Sequence, residues 1–173
     1  YAMEAAAEHG LQFVVLDRPN PLGAELIEGP VLESKFSSFI GLYPIPYIYG
    51  MTVGELARYF NVEFSLNADL TVVPMSGYAR TMTFEETGLP WVATSPHIPH
   101  AETALHAATT GIIGELQSVS EGVGYTQPFE FLCQSWIDAD VFADALNARN
   151  LPGVHFRPAY IRPYYFTLKD KEL

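Results

Sequence analysis

The chain has 173 residues, of which 49% are hydrophobic and 17% are charged, and this balance excludes an intrinsically disordered protein. Its formal net charge of −11 argues against binding to nucleic acid or to an anionic membrane surface, because both would repel an acidic chain. Cys133 is its single cysteine, which excludes an intrachain disulfide, and the sequence lacks the run of about 18 apolar residues that a transmembrane helix needs.

The first predicted elements are a helix and a strand. Residues 1–9 are rich in Ala and contain Met and Glu, a composition typical of a helix, and Gly10 is suited to end it. The apolar run at 11–16 then predicts a buried parallel strand. A helix that leads into a strand is the second half of a β-α-β unit, so we expect the first strand of that unit to lie outside this sequence.

A polar loop, Asp17-Arg-Pro-Asn-Pro-Leu-Gly23, follows this strand. Open α/β sheets bind ligands at the carboxyl ends of their strands, and an arginine there can bind a carboxylate or phosphate through two hydrogen bonds. Asp17, Arg18 and Asn20 are therefore candidate substrate-binding residues. The alternative, in which Asp17 caps the loop and pairs with Arg18, fits the sequence equally well.

The rest of the chain alternates between further elements and long loops. Residues 24–50 are rich in Pro, Gly and Tyr and are predicted to be irregular. Thr52-Val-Gly-Glu55 has the capping-box pattern and predicts a helix to about residue 61. We also expect strands at 69–74, 129–133 and 154–157, a helix at 102–109, and a helix at 138–149 that Asp138 caps. A loop is expected at 75–99 and a Pro- and Tyr-rich stretch at 158–165. This order predicts an α/β fold.

Three glutamates, Glu115, Glu121 and Glu130, lie in a glycine-containing stretch that has little helical character. Glycines let the backbone approach a ligand closely, and a carboxyl group in apolar surroundings can acquire the raised pKa that an acid catalyst needs. The three are the candidate catalytic residues. The alternative is that Glu115 and Glu130 only accept hydrogen bonds from backbone amides.

Other motifs point less clearly to chemistry. His97 and His100 flank Pro99, but a third ligand at a suitable spacing is missing, so we predict no metal site. Arg80 and Trp91 can form a wall that binds a carboxylate and stacks on a sugar, although a lone tryptophan more often belongs to a core. The sequence contains neither the Gly-x-Gly-x-x-Gly fingerprint nor a P-loop, which disfavours a nucleotide binder, and we predict no cofactor.

Several short motifs together resemble one bacterial family, the NamZ-type exo-β-N-acetylmuramidases, a domain formerly of unknown function. They occur in order along nearly the whole chain and are Asp17-Arg-Pro-Asn-Pro-Leu-Gly23, Glu28-Gly-Pro30, Gly41-Leu-Tyr-Pro-Ile-Pro46, Gly50-Met-Thr-Val-Gly-Glu-Leu-Ala57, Asp69-Leu-Thr-Val-Val-Pro-Met75, Thr87-Gly-Leu-Pro-Trp91, Ser120-Glu-Gly122, Pro128-Phe-Glu130 and Leu151-Pro-Gly-Val154. No single motif decides the resemblance; their number and order make it specific.

This resemblance implies a glycoside hydrolase that releases terminal, non-reducing N-acetylmuramic acid from peptidoglycan fragments, without a metal, in the periplasm or outside the cell. It also implies part of a Rossmann-like parallel-sheet domain, expected at residues 1–50, followed by a smaller α/β domain at residues 51–173. Family members are longer at both ends. The chain is therefore expected to be a fragment that lacks the N-terminal part and the C-terminal end, and catalytic residues can lie outside it.

The glutamate-rich stretch is expected to supply the two carboxyl groups of a glycosidase. Glu115 is expected to be the acid/base and Glu121 the second carboxylate, or the residue that orients it, with Glu130 as a third candidate. The expected substrate-binding residues are Asp17, Arg18, Asn20, Glu28, Arg80, Trp91 and His97. The alternative function is a peptidoglycan- or sugar-binding module without turnover, with peptidoglycan-derived sugars as the partners in either case.

Overall fold

The computed structural model describes residues 1–162, and these residues form a mixed α/β structure. The elements are α1 (Ala2–Glu8), β1 (Gln12–Leu16), β2 (Ile27–Val31), β3 (Pro46–Tyr49), α2 (Val53–Glu63), β4 (Asp69–Val73), α3 (Ala101–Glu115) and α4 (Ala139–Asn147). The α/β class predicted from the sequence is confirmed. The Pro- and Tyr-rich stretch at 158–165 extends beyond the described residues.

The chain divides into two compact units, and the second begins at Trp91. The division therefore lies after Pro90 rather than at residue 50, where we expected a domain boundary. The reason is that β1 pairs with β4, so the parallel sheet includes residues on both sides of position 50.

The first unit is built on a parallel pair of strands. β1 and β4 pair in register from Gln12 opposite Asp69 to Leu16 opposite Val73. One face of β1 packs toward the helices through Val15, while Val14 and Leu16 on the other face are 50% and 69% exposed. The strand predicted at 11–16 is thus confirmed. The prediction that both of its faces are buried is wrong, because among the described residues the face with Val14 and Leu16 is exposed. The buried residues of this core are Met3, Val15, Ala57 and Ala68.

Residues 24–50, predicted to be irregular, contain the antiparallel hairpin of β2 and β3. Its register shifts between Glu28 and Val31, next to Gly29. Gly29 has a φ of 82°, and a Cβ atom there would lie 2.9 Å from the Cβ atom of Tyr47. The hairpin therefore tolerates glycine at this point and few other residues. Glycine and proline inside the strands conceal the hairpin from a sequence pattern.

The capping box at the start of α2 forms as predicted. The hydroxyl of Thr52 accepts a hydrogen bond from the backbone N–H of Glu55 at 3.2 Å, and the carboxylate of Glu55 accepts one from the N–H of Thr52 at 2.9 Å. Two backbone donors that the helix leaves unpaired are satisfied in this way. Thr52 is 1% exposed, so this helix start is fixed inside the first unit.

In the second unit, both predicted helices are present. α3 is longer than expected and includes Glu115 as its last residue. α4 begins after Asp138, whose carboxylate accepts a hydrogen bond from the N–H of Val141 at 3.1 Å. A side-chain oxygen at this position replaces the missing backbone acceptor of the first helical turn.

The strands predicted at 129–133 and 154–157 are wrong. The first segment contributes only an isolated bridge between Ser120 and Cys133. In the second, the amide side chain of Asn147 donates to the carbonyl of Phe156 at 2.7 Å and accepts from its N–H at 2.9 Å. The backbone of Phe156 is therefore paired with a side chain instead of a neighbouring strand. Over residues 1–162, none of the helices has the length and apolar character to cross a membrane.

Candidate functional site

A cavity of about 330 Å³ lies in the first unit, where β1 and β4 end. The loop after β1 and the loop after β4 form most of its wall. The lining residues are Asp17, Arg18, Pro19, Met75, Ser76, Gly77, Tyr78, Met82, Thr87 and Leu89. The carboxyl ends of parallel strands are the usual ligand site of α/β sheets, and the volume falls within the range of about 300–1,000 Å³ that is typical of small-molecule sites.

Asp17 is held against the start of α2. Its Oδ1 accepts hydrogen bonds from the N–H groups of Gly54 at 2.8 Å and Arg18 at 2.9 Å, and its Oδ2 accepts one from the hydroxyl of Thr52 at 2.9 Å. A Cβ atom on Gly54 would lie 2.7 Å from Cγ of Asp17 and 2.6 Å from Cγ1 of Val72. Glycine at 54 therefore allows the carboxylate to reach the helix, where the backbone donors favour a negative charge.

Arg18 projects from this anchored backbone, and its side chain is exposed. Within residues 1–162 its guanidinium has neither a hydrogen-bond partner nor an ion-pair partner. It is the one cationic side chain among the described residues that line the cavity. The pairing between Arg18 and Asp17 that the sequence left open exists through the backbone N–H of Arg18, which leaves the guanidinium available to a ligand.

Asn20 is used within its own loop. Its Nδ2 donates to the carbonyl of Met51 at 3.0 Å, and its Oδ1 accepts from the N–H of Leu22 at 2.9 Å. The side chain thus connects the loop after β1 to the residues before α2. Asn20 does not line the cavity, and its role in binding substrate stays a prediction.

Arg80 connects three segments of the first unit. Its guanidinium pairs with the carboxylate of Glu55 and donates to the carbonyls of Ala24 and Gly50, the latter at 2.9 Å. The hydrogen bond to Glu55 raises the pKa of Arg80. These contacts hold the loop after β4 close to the start of α2, and a role of Arg80 in binding substrate stays a prediction.

Tyr78 also belongs to the cavity wall, and the sequence analysis missed it. Its hydroxyl is enclosed and has no hydrogen-bond partner among the described residues. Burial raises the pKa of Tyr78, and the nearby charge of Glu55 raises it further. The strand at 69–74 was predicted, so the rule that ligands bind at strand ends could have identified the loop at 75–78 as well.

The remaining candidate binding residues are not among the residues that line this cavity. Glu28 is exposed on β2. In the second unit, the indole N–H of Trp91 donates to the carbonyl of Ile98 at 3.1 Å, and the N–H of His97 donates to the hydroxyl of Ser95 at 3.3 Å. Across residues 1–162, the structure has no group of three or more His, Cys, Asp or Glu side chains that could hold a metal ion.

The candidate catalytic glutamates lie in the second unit. Glu115 is exposed at the end of α3, so the expectation that it lies in a non-helical stretch is wrong. The half-buried Glu121 packs against Gly114, where a Cβ atom would overlap its carboxyl carbon. Because Gly114 has no side chain, the carboxyl group of Glu121 can lie against it, and Gly114 directly precedes Glu115 in the sequence. Glu130 is exposed and accepts a hydrogen bond from Gln127 at 3.3 Å.

Comparison with known proteins gives matches along the whole chain. Residues 1–102 match the family model for the N-terminal part of exo-β-N-acetylmuramidase NamZ, and residues 107–173 match the model for its C-terminal part. The peptidoglycan β-N-acetylmuramidase NamZ of Bacillus subtilis (strain 168) is 51% identical over 165 residues. That alignment covers 95% of this chain and 40% of the relative.

Two solved structures of DUF1343 family proteins from Bacteroides fragilis NCTC 9343 have a similar fold. The first has a TM-score of 0.92 and 48% sequence identity, and its alignment covers 99% of this chain and 45% of the neighbour's chain. The second has a TM-score of 0.74 and 27% sequence identity, and its alignment covers 98% of this chain and 44% of the neighbour's chain. The chain thus spans less than half the length of each of these relatives. With both family models matched in order, the chain belongs to the family of exo-β-N-acetylmuramidase NamZ.

Proposed function

We propose that this chain is part of a glycoside hydrolase that releases terminal, non-reducing N-acetylmuramic acid from peptidoglycan fragments. The main support is the match of both family models, together with 51% identity to a relative named as a peptidoglycan β-N-acetylmuramidase. The cavity at the ends of β1 and β4 adds support, because it has the position and the size of a small-ligand site. In this proposal the cavity binds part of the sugar.

Hydrolysis of a glycosidic bond requires two carboxyl groups in most such enzymes. One protonates the leaving oxygen, and the other acts as a nucleophile or activates water on the opposite face of the sugar. We propose Glu115 and Glu121 for these roles, with Glu130 as the third candidate, because Glu121 packs against Gly114, the residue that precedes Glu115 at the end of α3. Asp17 is a poor candidate, since both of its carboxylate oxygens already accept hydrogen bonds.

A sugar-binding module without turnover is the second candidate. The observation that favours it is the state of Asp17, which is the one acidic side chain among the described residues of the cavity wall. Because its oxygens are hydrogen-bonded to Thr52, Gly54 and Arg18, the described lining residues offer no free carboxyl group for proton transfer. Binding of a sugar there would not require catalysis.

The test is release of p-nitrophenol from p-nitrophenyl β-N-acetylmuramide, with the Bacillus subtilis relative as the positive control. If the chain turns over the substrate, Glu115→Gln or Glu121→Gln should lower the rate by about 100-fold or more, the usual effect of removing a general acid or base. Glu63→Gln is the matched control, because Glu63 is an exposed glutamate at the end of α2.

The outcomes separate the two candidates. Turnover that survives both substitutions would remove Glu115 and Glu121 from the mechanism. Binding of N-acetylmuramic acid without turnover would assign a sugar-binding role to these residues and would leave the carboxyl groups of a hydrolase to be sought outside them. Neither binding nor turnover by this chain would contradict both candidates.

We further propose that the protein works in the periplasm or outside the cell, in the recycling of cell wall material. The support is the proposed substrate, since peptidoglycan lies outside the cytoplasmic membrane. Immunodetection in cell fractions is the direct measurement. Protein found solely in the cytoplasmic fraction would contradict this location and leave the proposed chemistry standing.

A further inference from the structure

Arg18 has an anchored backbone and a side chain without a partner among the described residues. Its backbone N–H donates to Asp17, whose carboxylate is fixed by Thr52 and Gly54. The base of the arginine is therefore attached to the start of α2. Its side chain is exposed at the wall of the cavity and has no partner within residues 1–162.

The charges around the cavity make this arginine suitable for an anion. The negative charge of Asp17 is directed toward donors of α2, and the carboxylate of Glu55 is paired with Arg80. Every other described lining residue is uncharged. Arg18 thus supplies an uncompensated positive charge in a chain whose formal net charge is −11, and an anionic ligand would be attracted here and repelled by much of the remaining surface.

We infer that Arg18 determines specificity by binding the lactyl carboxylate of N-acetylmuramic acid. This inference rests on the proposed function. N-acetylmuramic acid differs from N-acetylglucosamine by a lactyl ether that carries a carboxylate, and a planar guanidinium can bind both carboxylate oxygens at once. The cavity then distinguishes the two sugars through one charged group, while its uncharged wall contacts what the sugars share.

The experiment measures binding of the free sugars to the 173-residue chain by titration in ¹H–¹⁵N NMR spectra. The wild-type chain should bind N-acetylmuramic acid more tightly than N-acetylglucosamine. Arg18→Ala should weaken binding of N-acetylmuramic acid by about 10-fold or more, which is typical of a lost hydrogen bond to a charged group, and leave N-acetylglucosamine unchanged. Arg18→Lys should fall between, because it keeps the charge and loses the two-pronged geometry.

Two controls keep the result specific. Arg58→Ala removes an exposed arginine from α2 that does not line the cavity, so binding of both sugars should stay at the wild-type value. The second control changes the ligand instead of the protein. N-acetylmuramic acid whose lactyl carboxylate is converted to an amide should bind the wild-type protein as weakly as N-acetylglucosamine does.

The failures are distinguishable. Equal binding of both sugars by the wild-type chain, or equal weakening of both by Arg18→Ala, would overturn the role of Arg18 and leave a sugar site in place. Binding of neither sugar would contradict the proposed sugar site of this cavity, and the inference with it.

Discussion

At the scale of single residues, the side chains around the cavity fall into those used by the fold and those left for a ligand. Asp17, Asn20 and Arg80 all have partners within the first unit. Arg18 and the ring of Tyr78 face the cavity without such a role. The sequence predicted that polar residues after β1 would matter, but their partners lie far along the chain, and no local pattern shows which of them are occupied.

Tyr78 leads to a prediction about stability. An enclosed hydroxyl without a partner costs about 1–3 kcal/mol, and replacing it with an apolar group of the same shape removes that cost. Tyr78→Phe should therefore raise the free energy of unfolding, by about 1 kcal/mol, in urea denaturation. Tyr59→Phe, on the exposed side of α2, should change it by less than about 0.5 kcal/mol. A loss of stability in Tyr78→Phe would show that its hydroxyl is bonded in solution.

At the scale of elements, a prediction from the sequence agreed with the structure when it rested on a few adjacent residues. The capping box of α2 and the cap of α4 were predicted because each consists of a few adjacent residues. The β2–β3 hairpin was missed because its register depends on Gly29 meeting Tyr47, a contact between distant residues. The strand expected at 129–133 failed because an apolar run alone does not supply a pairing partner.

Gly54 on α2 allows a test of this packing. Alanine is favoured over glycine in a helix by about 1 kcal/mol, but a Cβ atom at 54 would overlap Asp17 and Val72. Gly54→Ala should therefore lower the free energy of unfolding, by about 1–3 kcal/mol, as overpacked sites do. The control is Gly111→Ala on α3, where the nearest atom would lie at 3.6 Å in Phe129, so the helix preference should prevail and stability should rise. A stable Gly54→Ala variant would contradict the close approach of Asp17.

At the scale of the whole first unit, Tyr43 joins three parts of the chain. Its hydroxyl donates to the carboxylate of Glu4 on α1, and its ring stacks on Phe64 just after α2, with ring centres 4.1 Å apart. The hydrogen bond raises the pKa of Tyr43 to about 12 and lowers the pKa of Glu4 below its ordinary value of 4.5. The residues between β2 and β3 are thereby attached to both helices.

This contact predicts a specific dependence of stability on pH. Because the pKa of Tyr43 is raised in the folded state, its contribution is complete below pH 10 and disappears as the pH rises toward about 12. Because the pKa of Glu4 is lowered, its contribution is present above pH 4.5 and disappears below that value. Urea denaturation of wild type and Tyr43→Phe should differ most near neutral pH and converge at both extremes. A constant difference across pH would show that packing alone explains the effect.

The junction at Asp17 also has a consequence for the exchange of amide protons with solvent. The N–H groups of Arg18 and Gly54 donate to the same carboxylate oxygen, although they belong to a loop and to a helix separated by 35 intervening residues. Both protons are released when that one oxygen moves away, so the two amides should exchange through a shared opening event. A ligand bound to the side chain of Arg18 would slow both, and the start of α2 would then report occupancy of a cavity that it does not line.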